Sequence, residues 1–274
     1  MIYVTGDCHG DYERFYDYNF PESANMTRRD YVVVAGDFGL WNKDPKYEAR
    51  LDSLTTLPFT ILFCDGNHEN FERLLGNEFK EIPWNGGKAK IIRANVLYLE
   101  RGYVFTIQGK KFFVFGGASS HDIDGGILAA DGHTRHAAGE DKNMYFKYID
   151  KDFGSVSEAV KEFRFAKQNY PGLLRVKDWS WWKEEMPDEE EMERGRKSLE
   201  AVGNKVDYIV THCAPTEIVS MLYPWEKHVS DPCTRYLTQI AYNTEFKNWF
   251  FGHYHDNRNF GKYILLYEQI LRIA

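Results

Sequence analysis

The chain opens with Ile2-Tyr3-Val4-Thr5-Gly6-Asp7-Cys8-His9-Gly10, in which a short apolar run leads directly into a carboxylate and an imidazole. β-Branched and aromatic residues favour a strand over the run, and the glycines favour a turn after it. Because alternate side chains of an extended segment share a face, Asp7 and His9 can reach one metal ion while Cys8 points elsewhere. The stretch predicts a strand of an open α/β sheet that delivers ligands at its carboxyl end.

The same pattern recurs along the chain. Four further segments carry it: Gly36-Asp37, Gly66-Asn67-His68-Glu69, Thr211-His212 and Gly252-His253-Tyr254-His255. One such segment is a weak signal, since isolated Asp-x-His and Asn-His pairs are common in surface turns. Five in succession, each behind apolar residues, predict that several strands bring ligands to one sheet edge, which is the layout of a two-metal hydrolase.

Strand and helix patterns alternate in the N-terminal part. Strands are predicted over Tyr31–Ala35 and Thr60–Phe63, and helices from near Asp11 and across Tyr47–Leu57. This alternation favours a βαβαβ unit.

Further along, three short apolar runs are separated only by turn-like pairs. These runs, Val96–Leu99, Tyr103–Ile107 and Lys111–Phe115, predict an antiparallel meander and with it a mixed or second sheet. Strand character returns at Tyr208–Val210 and Trp249–Phe251.

The region from Ser119 to Pro187 does not fit the alternation. We therefore expect a single domain over residues 1–274 with an insertion or cap at about 119–187, well beyond ordinary loop length. Trp179-Ser180-Trp181-Trp182 in this region could stack on an aromatic leaving group or pack the cap onto its domain. The insertion itself is either a functional lid or an assembly contact, and the sequence leaves the oligomeric state open.

Composition is that of an ordinary globular protein, with 43% hydrophobic and 27% charged residues. The net charge of -7 and the lack of a long Lys/Arg block speak against general nucleic-acid binding. The strand-like N-terminus and the lack of an apolar run of about 18 residues predict a cytoplasmic protein without membrane association. Cys8, Cys64, Cys213 and Cys233 lack zinc-ribbon spacing and are expected to be reduced packing residues.

The donor types themselves indicate which metals would bind. Two ions a few ångströms apart need a group that touches both, and the Asp37 carboxylate is the best candidate for this bridge. His253 and His255 share the spacing of Asp7 and His9, while Asn67 offers a neutral oxygen and His212 a further imidazole. Mixed oxygen and nitrogen ligation suits manganese, iron or zinc better than calcium or magnesium.

The five segments resemble the signature of the calcineurin-like metallophosphoesterase superfamily. The resemblance covers residues 1 to about 120 and about 175 to 274. It implies an α/β fold, a four-layer α-β-β-α sandwich with two mixed sheets, around a centre of two divalent or trivalent ions. It further implies two ligand sets that share one carboxylate: Asp7, His9, Asp37 and His255 for one ion, and Asp37, Asn67, His212 and His253 for the other.

The same resemblance makes His68 the catalytic histidine. Its chemistry agrees, since a histidine beside Asn67 lies next to the metals without having to bind one, and an ordinary imidazole pKa permits proton donation near neutrality. Alternatively, His68 only packs or orients Asn67. Asp65 and Glu69 are candidates to hydrogen-bond ring nitrogens, although Glu69 could equally begin a helix.

The chain departs from the protein phosphatase branch of the superfamily. Where that branch has arginines that clamp phosphate, this chain has Gly39 after the bridging aspartate and Asp65 before Gly66. Phosphoprotein specificity is therefore not expected, and other segments are similar to small bacterial and phage-like phosphoesterases. Arg175 and Lys177 are candidate phosphate contacts, unless they are two solvated charges before the tryptophans.

Together these features predict a phosphoester hydrolase in which a metal-bound hydroxide attacks phosphorus in line. One alternative is a phosphodiesterase that acts on nucleotides or nucleic-acid ends. The other is a non-catalytic metal-binding scaffold that binds a partner through the insertion, although a scaffold needs neither His68 nor a complete ligand set.

Overall fold

The computed structural model describes residues 1–123, 126–128, 154–169, 174–224 and 230–274. In this part of the chain the strands are β1 (Ile2–Thr5), β2 (Tyr31–Val34), β3 (Thr60–Phe63), β4 (Lys80–Trp84), β5 (Gly87–Arg93), β6 (Val96–Leu99), β7 (Tyr103–Ile107), β8 (Lys110–Phe115), β9 (Gly126–Leu128), β10 (Leu174–Val176), β11 (Tyr208–Thr211), β12 (Asn248–Phe251), β13 (Arg258–Phe260), β14 (Tyr263–Leu265) and β15 (Leu271–Arg272). The α-helices are α1 (Pro45–Ser53), α2 (Phe71–Leu75), α3 (Val156–Asn169), α4 (Glu189–Glu200), α5 (Thr216–Leu222) and α6 (Pro232–Asn243). Among these helices none combines the length and the apolar character needed to cross a membrane.

Two large mixed sheets organise the fold, as predicted. The first has the order β15-β1-β2-β3-β6-β5-β4, and its four strands β1, β2, β3 and β6 are parallel. The second has the order β13-β14-β12-β11-β8-β7, and its four strands β8, β11, β12 and β14 are parallel. A separate parallel pair is formed by β9 and β10.

Alternating side chains divide the core into layers. Val4 of the first sheet and Val210 of the second belong to one buried cluster between the sheets. The outer face of the first sheet, with Phe63, packs with Leu51 of α1. The outer face of the second sheet packs with α4, α5 and α6 through a cluster that includes Trp249. The order helix, sheet, sheet, helix is the four-layer sandwich that the resemblance implied.

The predicted meander is wrong in one strand. β6 pairs with β3 and β5 in the first sheet, whereas only β7 and β8 form an antiparallel pair, in the second sheet. All four residues of β6 are buried, which is typical of a central strand with partners on both edges. The chain therefore crosses between the sheets at Arg101-Gly102. The sequence predicts only a short turn within one sheet at this position.

The helix predicted from near Asp11 is also wrong. The segment forms only a single 3₁₀ turn at Glu13–Phe15. Arg14 ties this turn to the sheet edge, because its guanidinium donates to the carbonyl oxygens of Asp7 at 2.7 Å and of Tyr267 at 2.6 Å. These tertiary hydrogen bonds hold the turn against the first ligand loop and override the helical spacing of the aromatic residues.

The predicted insertion at about 119–187 is described only in part. Residues 124–125, 129–153 and 170–173 lie outside the described residues. The described residues include β9, α3 and β10. These three elements share a small apolar cluster, to which α3 contributes Phe163 and β10 contributes Val176. The extent of the insertion stays a prediction.

Candidate metal centre

The five predicted ligand segments follow β1, β2, β3, β11 and β12, which are parallel strands in the middle of the two sheets. Hydrogen bonds between the loops draw them together: Cys8 N donates to Asp37 O at 2.9 Å, and Gly252 N donates to His212 O at 3.0 Å. The carboxyl ends of the central strands therefore form one polar edge, as the sequence predicted.

Four of the predicted ligands have left-handed backbone conformations. The φ angles are 50° at His9, 44° at Asp37, 70° at His253 and 49° at His255. Such angles are uncommon for residues other than glycine, and this kind of strain concentrates at functional sites. The local backbone is thus shaped by the tertiary structure to aim these side chains.

At two positions of the motifs, glycine is required because neighbouring atoms leave no room for a Cβ, and not because the backbone has a positive φ. A Cβ on Gly66 would lie 2.0 Å from Oδ1 of Asp37, and a Cβ on Gly252 would lie 2.0 Å from Oδ1 of Asp7. Both distances are far below van der Waals contact, so any larger residue would displace the carboxylates.

The first predicted ligand set forms a compact group of donor atoms. Asp7, His9, Asp37 and His255 each offer one atom, and the four atoms lie within 4.8 Å of one another. Nε2 of His9 is 2.9 Å from Nε2 of His255, while Oδ2 of Asp7 is 3.3 Å from Nε2 of His255. Asp7 is fully buried, and its carboxylate also accepts from the backbone N–H of His253 at 3.0 and 3.1 Å.

The second predicted set is joined to the first through Asp37. Nε2 of His212 is 3.3 Å from Oδ2 of Asp37 and 3.1 Å from Oδ1 of Asn67. The His253 ring lies beside them, with its centroid 4.9 Å from that of His212. All seven predicted metal ligands therefore come together at one edge of the sandwich.

The chemistry of the second set fits a cation. The Nδ1–H group of His212 donates to the carbonyl of Ala35 at 3.0 Å, so Nε2 faces two acceptor oxygens. Fixing one ring nitrogen on a carbonyl in this way is how metal-binding histidines are commonly oriented. Oδ2 of Asp37 is buried and makes no well-aligned hydrogen bond to any described residue. A positive charge among these atoms would satisfy all of them.

The electrostatics of the same group agree. Burial alone would lower the pKa of His212, but the carboxylates of Asp37 and Asp7 raise it to about 10. Burial would likewise raise the pKa of Asp37, but His212, His68 and His9 hold it well below its usual range. The pocket thus favours ionised carboxylates and a positive charge between them, which is either an imidazolium or a bound metal ion.

His68 lies beside the centre without entering either donor group. Its backbone N–H donates to Oδ1 of Asp37 at 2.8 Å, and its ring is 5.3 Å from that of His9. Nδ1 of His68 is 3.4 Å from Nη2 of Arg175. Because a guanidinium only donates, Nδ1 accepts and the neutral ring carries its proton on Nε2. Burial and Arg175 lower the pKa of His68 to about 3, although Asp37 raises it, so the ordinary pKa assumed from the sequence does not hold.

Of the two predicted phosphate contacts, the structure brings Arg175 to the centre and leaves Lys177 apart. Arg175 is held by an ion pair with Asp122 and lines a cavity next to His68. Lys177 does not line that cavity, and its Nζ lies 3.9 Å from the carboxylate of Asp178.

The roles suggested for Asp65 and Glu69 are wrong. Asp65 accepts from Tyr98 at 3.0 Å and from Nε of Arg101 at 2.9 Å, so its charge is neutralised by a buried arginine. Glu69 accepts from the backbone N–H groups of Gly39 and Leu40 and contacts no ring nitrogen among the described residues. Burial raises the pKa of Glu69 to about 8.

A hydrogen-bonded chain behind Asn67 was missed by sequence reasoning. Nδ2 of Asn67 donates to Oγ of Ser120 at 3.2 Å, and this hydroxyl donates to Oε2 of Glu185 at 2.7 Å. These two hydrogen bonds turn Oδ1 of Asn67 toward His212, so they fix which end of the amide faces the centre. Ser120 is 53 residues from Asn67 and 65 from Glu185, and no periodicity or motif links residues so far apart.

The comparison with protein families agrees with this geometry. The family model for calcineurin-like phosphoesterases matches residues 1–257. No curated protein matches the chain. One solved structure that matches is described as phosphopantetheinyl hydrolase (PptH) from Mycobacterium tuberculosis. The two sequences are 15% identical, and the alignment covers 97% of this chain and 87% of the hydrolase chain, with a TM-score of 0.38.

Proposed function

The chain belongs to the calcineurin-like phosphoesterase family, and from this premise we propose that it hydrolyses phosphoesters at a two-metal centre. The proposed ligands are the seven side chains of the polar edge: Asp7, His9, Asp37, Asn67, His212, His253 and His255. Their mixture of carboxylate, amide and imidazole donors favours manganese, iron or zinc.

The observation that carries the proposal is the position of the Asp37 carboxylate. Its Oδ2 lies 3.8 Å from Nε2 of His9 in the first set and 3.3 Å from Nε2 of His212 in the second. A carboxylate shared between two donor sets is what a pair of metal ions requires. A single structural ion would need only one of the two sets.

Each group of the chain has a definite task in this proposal. Bound metal ions would supply charge stabilisation for the phosphoryl oxygens and lower the pKa of water. Asp37 belongs to both ligand sets and joins them. The hydrogen bonds from Asn67 through Ser120 to Glu185 keep the amide oxygen of Asn67 facing the metal centre. His68 presents its Nε2–H group to the site. An arriving phosphate dianion would raise the pKa of His68, because an opposite charge favours the imidazolium, which can then protonate the leaving oxygen.

The proposal is tested by measuring metal content and hydrolysis on the same purified protein. After reconstitution with manganese, iron or zinc, we expect two ions per chain and turnover of small phosphoesters. Phosphomonoesters, phosphodiesters, nucleotides and phosphopeptides should be compared, and the phosphopeptides should be poor substrates. A preference for diesters would favour the phosphodiesterase alternative. Two bound ions without turnover of any ester would favour the scaffold and contradict the proposal.

Replacement of Arg175 should weaken phosphate binding. We expect Arg175→Ala to lower kcat/KM for a small phosphomonoester roughly 10- to 100-fold, chiefly through KM, because it removes a charged donor near the phosphate. Both metals should remain bound, which elemental analysis can check.

Lys177→Ala is the matched control, since Lys177 is two residues away and does not line the cavity. Its kinetics should stay close to those of the unmodified protein. Equal effects of the two substitutions, or normal kinetics in Arg175→Ala, would remove Arg175 from the site.

A further inference from the structure

A cavity of about 840 Å³ opens beside the metal centre. His9, His68 and His255 line it from the centre, and Arg175 lines it from β10. Its volume lies in the range of small-molecule sites. A phosphoester held at the centre would therefore extend its leaving group into this cavity.

The cavity has an aromatic wall. Trp41 is a lining residue that stays 40% exposed, and its indole packs so closely on Gly10 that an added Cβ there would lie 3.2 to 3.3 Å from the ring. Tyr47 stacks on Trp41 with ring centroids 5.7 Å apart. The exposed indole is thus a rigid surface next to the loop of His9.

Aromatic side chains also line the cavity from the segment around α3 and β10. Phe163 of α3 contacts Trp179 with ring centroids 5.4 Å apart, and both line the cavity. Nδ2 of Asn42, next to Trp41, donates to the carbonyl of Trp179 at 2.8 Å. This hydrogen bond joins the segment of Trp41 to that of Trp179, and both aromatic groups line the same cavity.

Two further cations line the cavity, beside the carboxylates of Asp44 and Glu69. Lys46 and Arg50 are four residues apart on α1, so they lie on the same helix face, and both line the cavity. Both are exposed, and neither forms an ion pair with any described residue. Like charges at this spacing destabilise a helix slightly, and an anion bound between them would relieve that repulsion.

From these three features we propose that the cavity is the leaving-group subsite and that it takes a nucleoside carrying a second phosphate. This inference rests on the proposed function and specifies its substrate class. The base would stack on Trp41, and the second phosphate would contact Lys46 and Arg50. In hydrolysis, water supplies an oxygen to phosphorus, the bond from phosphorus to the ribose oxygen breaks, and a proton goes to that ribose oxygen.

Three substrates separate the contribution of the base from that of the second phosphate. They are adenosine 3′,5′-bisphosphate, adenosine 5′-monophosphate and glycerol 1-phosphate. We expect kcat/KM to fall in that order. Trp41→Ala should lower kcat/KM roughly 10-fold for both nucleotides and leave glycerol 1-phosphate unchanged, because stacking of a base is lost. The double variant Lys46→Met/Arg50→Met should lower kcat/KM about fivefold for the bisphosphate alone.

Tyr242→Ala and Lys205→Met are the matched controls, since both residues are exposed and neither lines the cavity. These two variants should leave kcat/KM unchanged for all three esters. Equal efficiency for the three esters, or a loss in Trp41→Ala that is the same for glycerol 1-phosphate, would overturn the subsite.

Calorimetry on the metal-free protein gives a readout that does not depend on hydrolysis. Adenosine 3′,5′-bisphosphate should bind, and Trp41→Ala and the double variant should each weaken its binding by the same factors as above. If the metal-loaded protein hydrolyses no ester but this binding pattern holds, the proposed function fails while the subsite stands. If esters are hydrolysed and the bisphosphate does not bind the metal-free protein, the subsite fails while the function stands.

Discussion

Replacement of Asp37 by asparagine is expected to eliminate two-metal binding and to lower phosphoester hydrolysis roughly 10³-fold. The substitution removes the charge that the two ligand sets share. It should not unfold the loop, because asparagine tolerates a left-handed backbone such as the φ of 44° at this position. An amide oxygen can also keep the hydrogen bond that Oδ1 of Asp37 accepts from His68 N at 2.8 Å.

Metal content by elemental analysis and turnover should be measured on the same sample of this variant. Asp256→Asn is a suitable control, because Asp256 follows His255 directly, whereas its carboxylate contacts, within the described part of the chain, Asn257 N at 2.8 Å and Arg258 at 3.8 Å. Asp37→Asn with two ions per chain and an ordinary rate would show that this carboxylate is not the bridge.

Replacement of His68 is expected to separate metal binding from turnover. His68→Ala should lower kcat by about 10² to 10⁴, the usual contribution of a positioned proton donor, while both metals stay bound. His121→Ala removes another imidazole close to the centre, 5.0 Å from the ring of His253, and should lower kcat far less. Parallel loss of metals and turnover in His68→Ala would make this residue a ligand or a packing residue.

The pH dependence of kcat/KM tests the environment of His68 in the free protein. Burial and Arg175 lower the pKa of His68 to about 3, so the ring is neutral throughout the range from pH 5 to 8. Since a lowered pKa moves the protonation step below this range, His68 should produce no decline in kcat/KM as the pH rises through 6.5. A decline centred near pH 6.5 that disappears in His68→Ala would show an ordinary imidazole instead.

Much of the centre could be predicted because its residues are local to strand ends. Asp7 and His9, or His253 and His255, are each recognisable within a few residues, and the apolar runs before them predict parallel strands. The Asn85-Gly86 turn between β4 and β5 also carries a clear hairpin signal, with φ angles of 47° and 106°. The hairpin of β4 and β5 was not predicted and is found only in the structure.

The sequence by itself determined an α/β fold with mixed sheets, the seven donors and their common edge, because strand periodicity and ligand chemistry are properties of short segments. The four-layer sandwich was implied only by the resemblance to the family. Only the tertiary structure decided how these donors are oriented and charged. It supplies the 3.0 Å hydrogen bond that orients His212, the buried Arg101 that neutralises Asp65, and the burial that lowers the pKa of His68. Contacts and desolvation of this kind join residues far apart in the chain, and no local pattern specifies them.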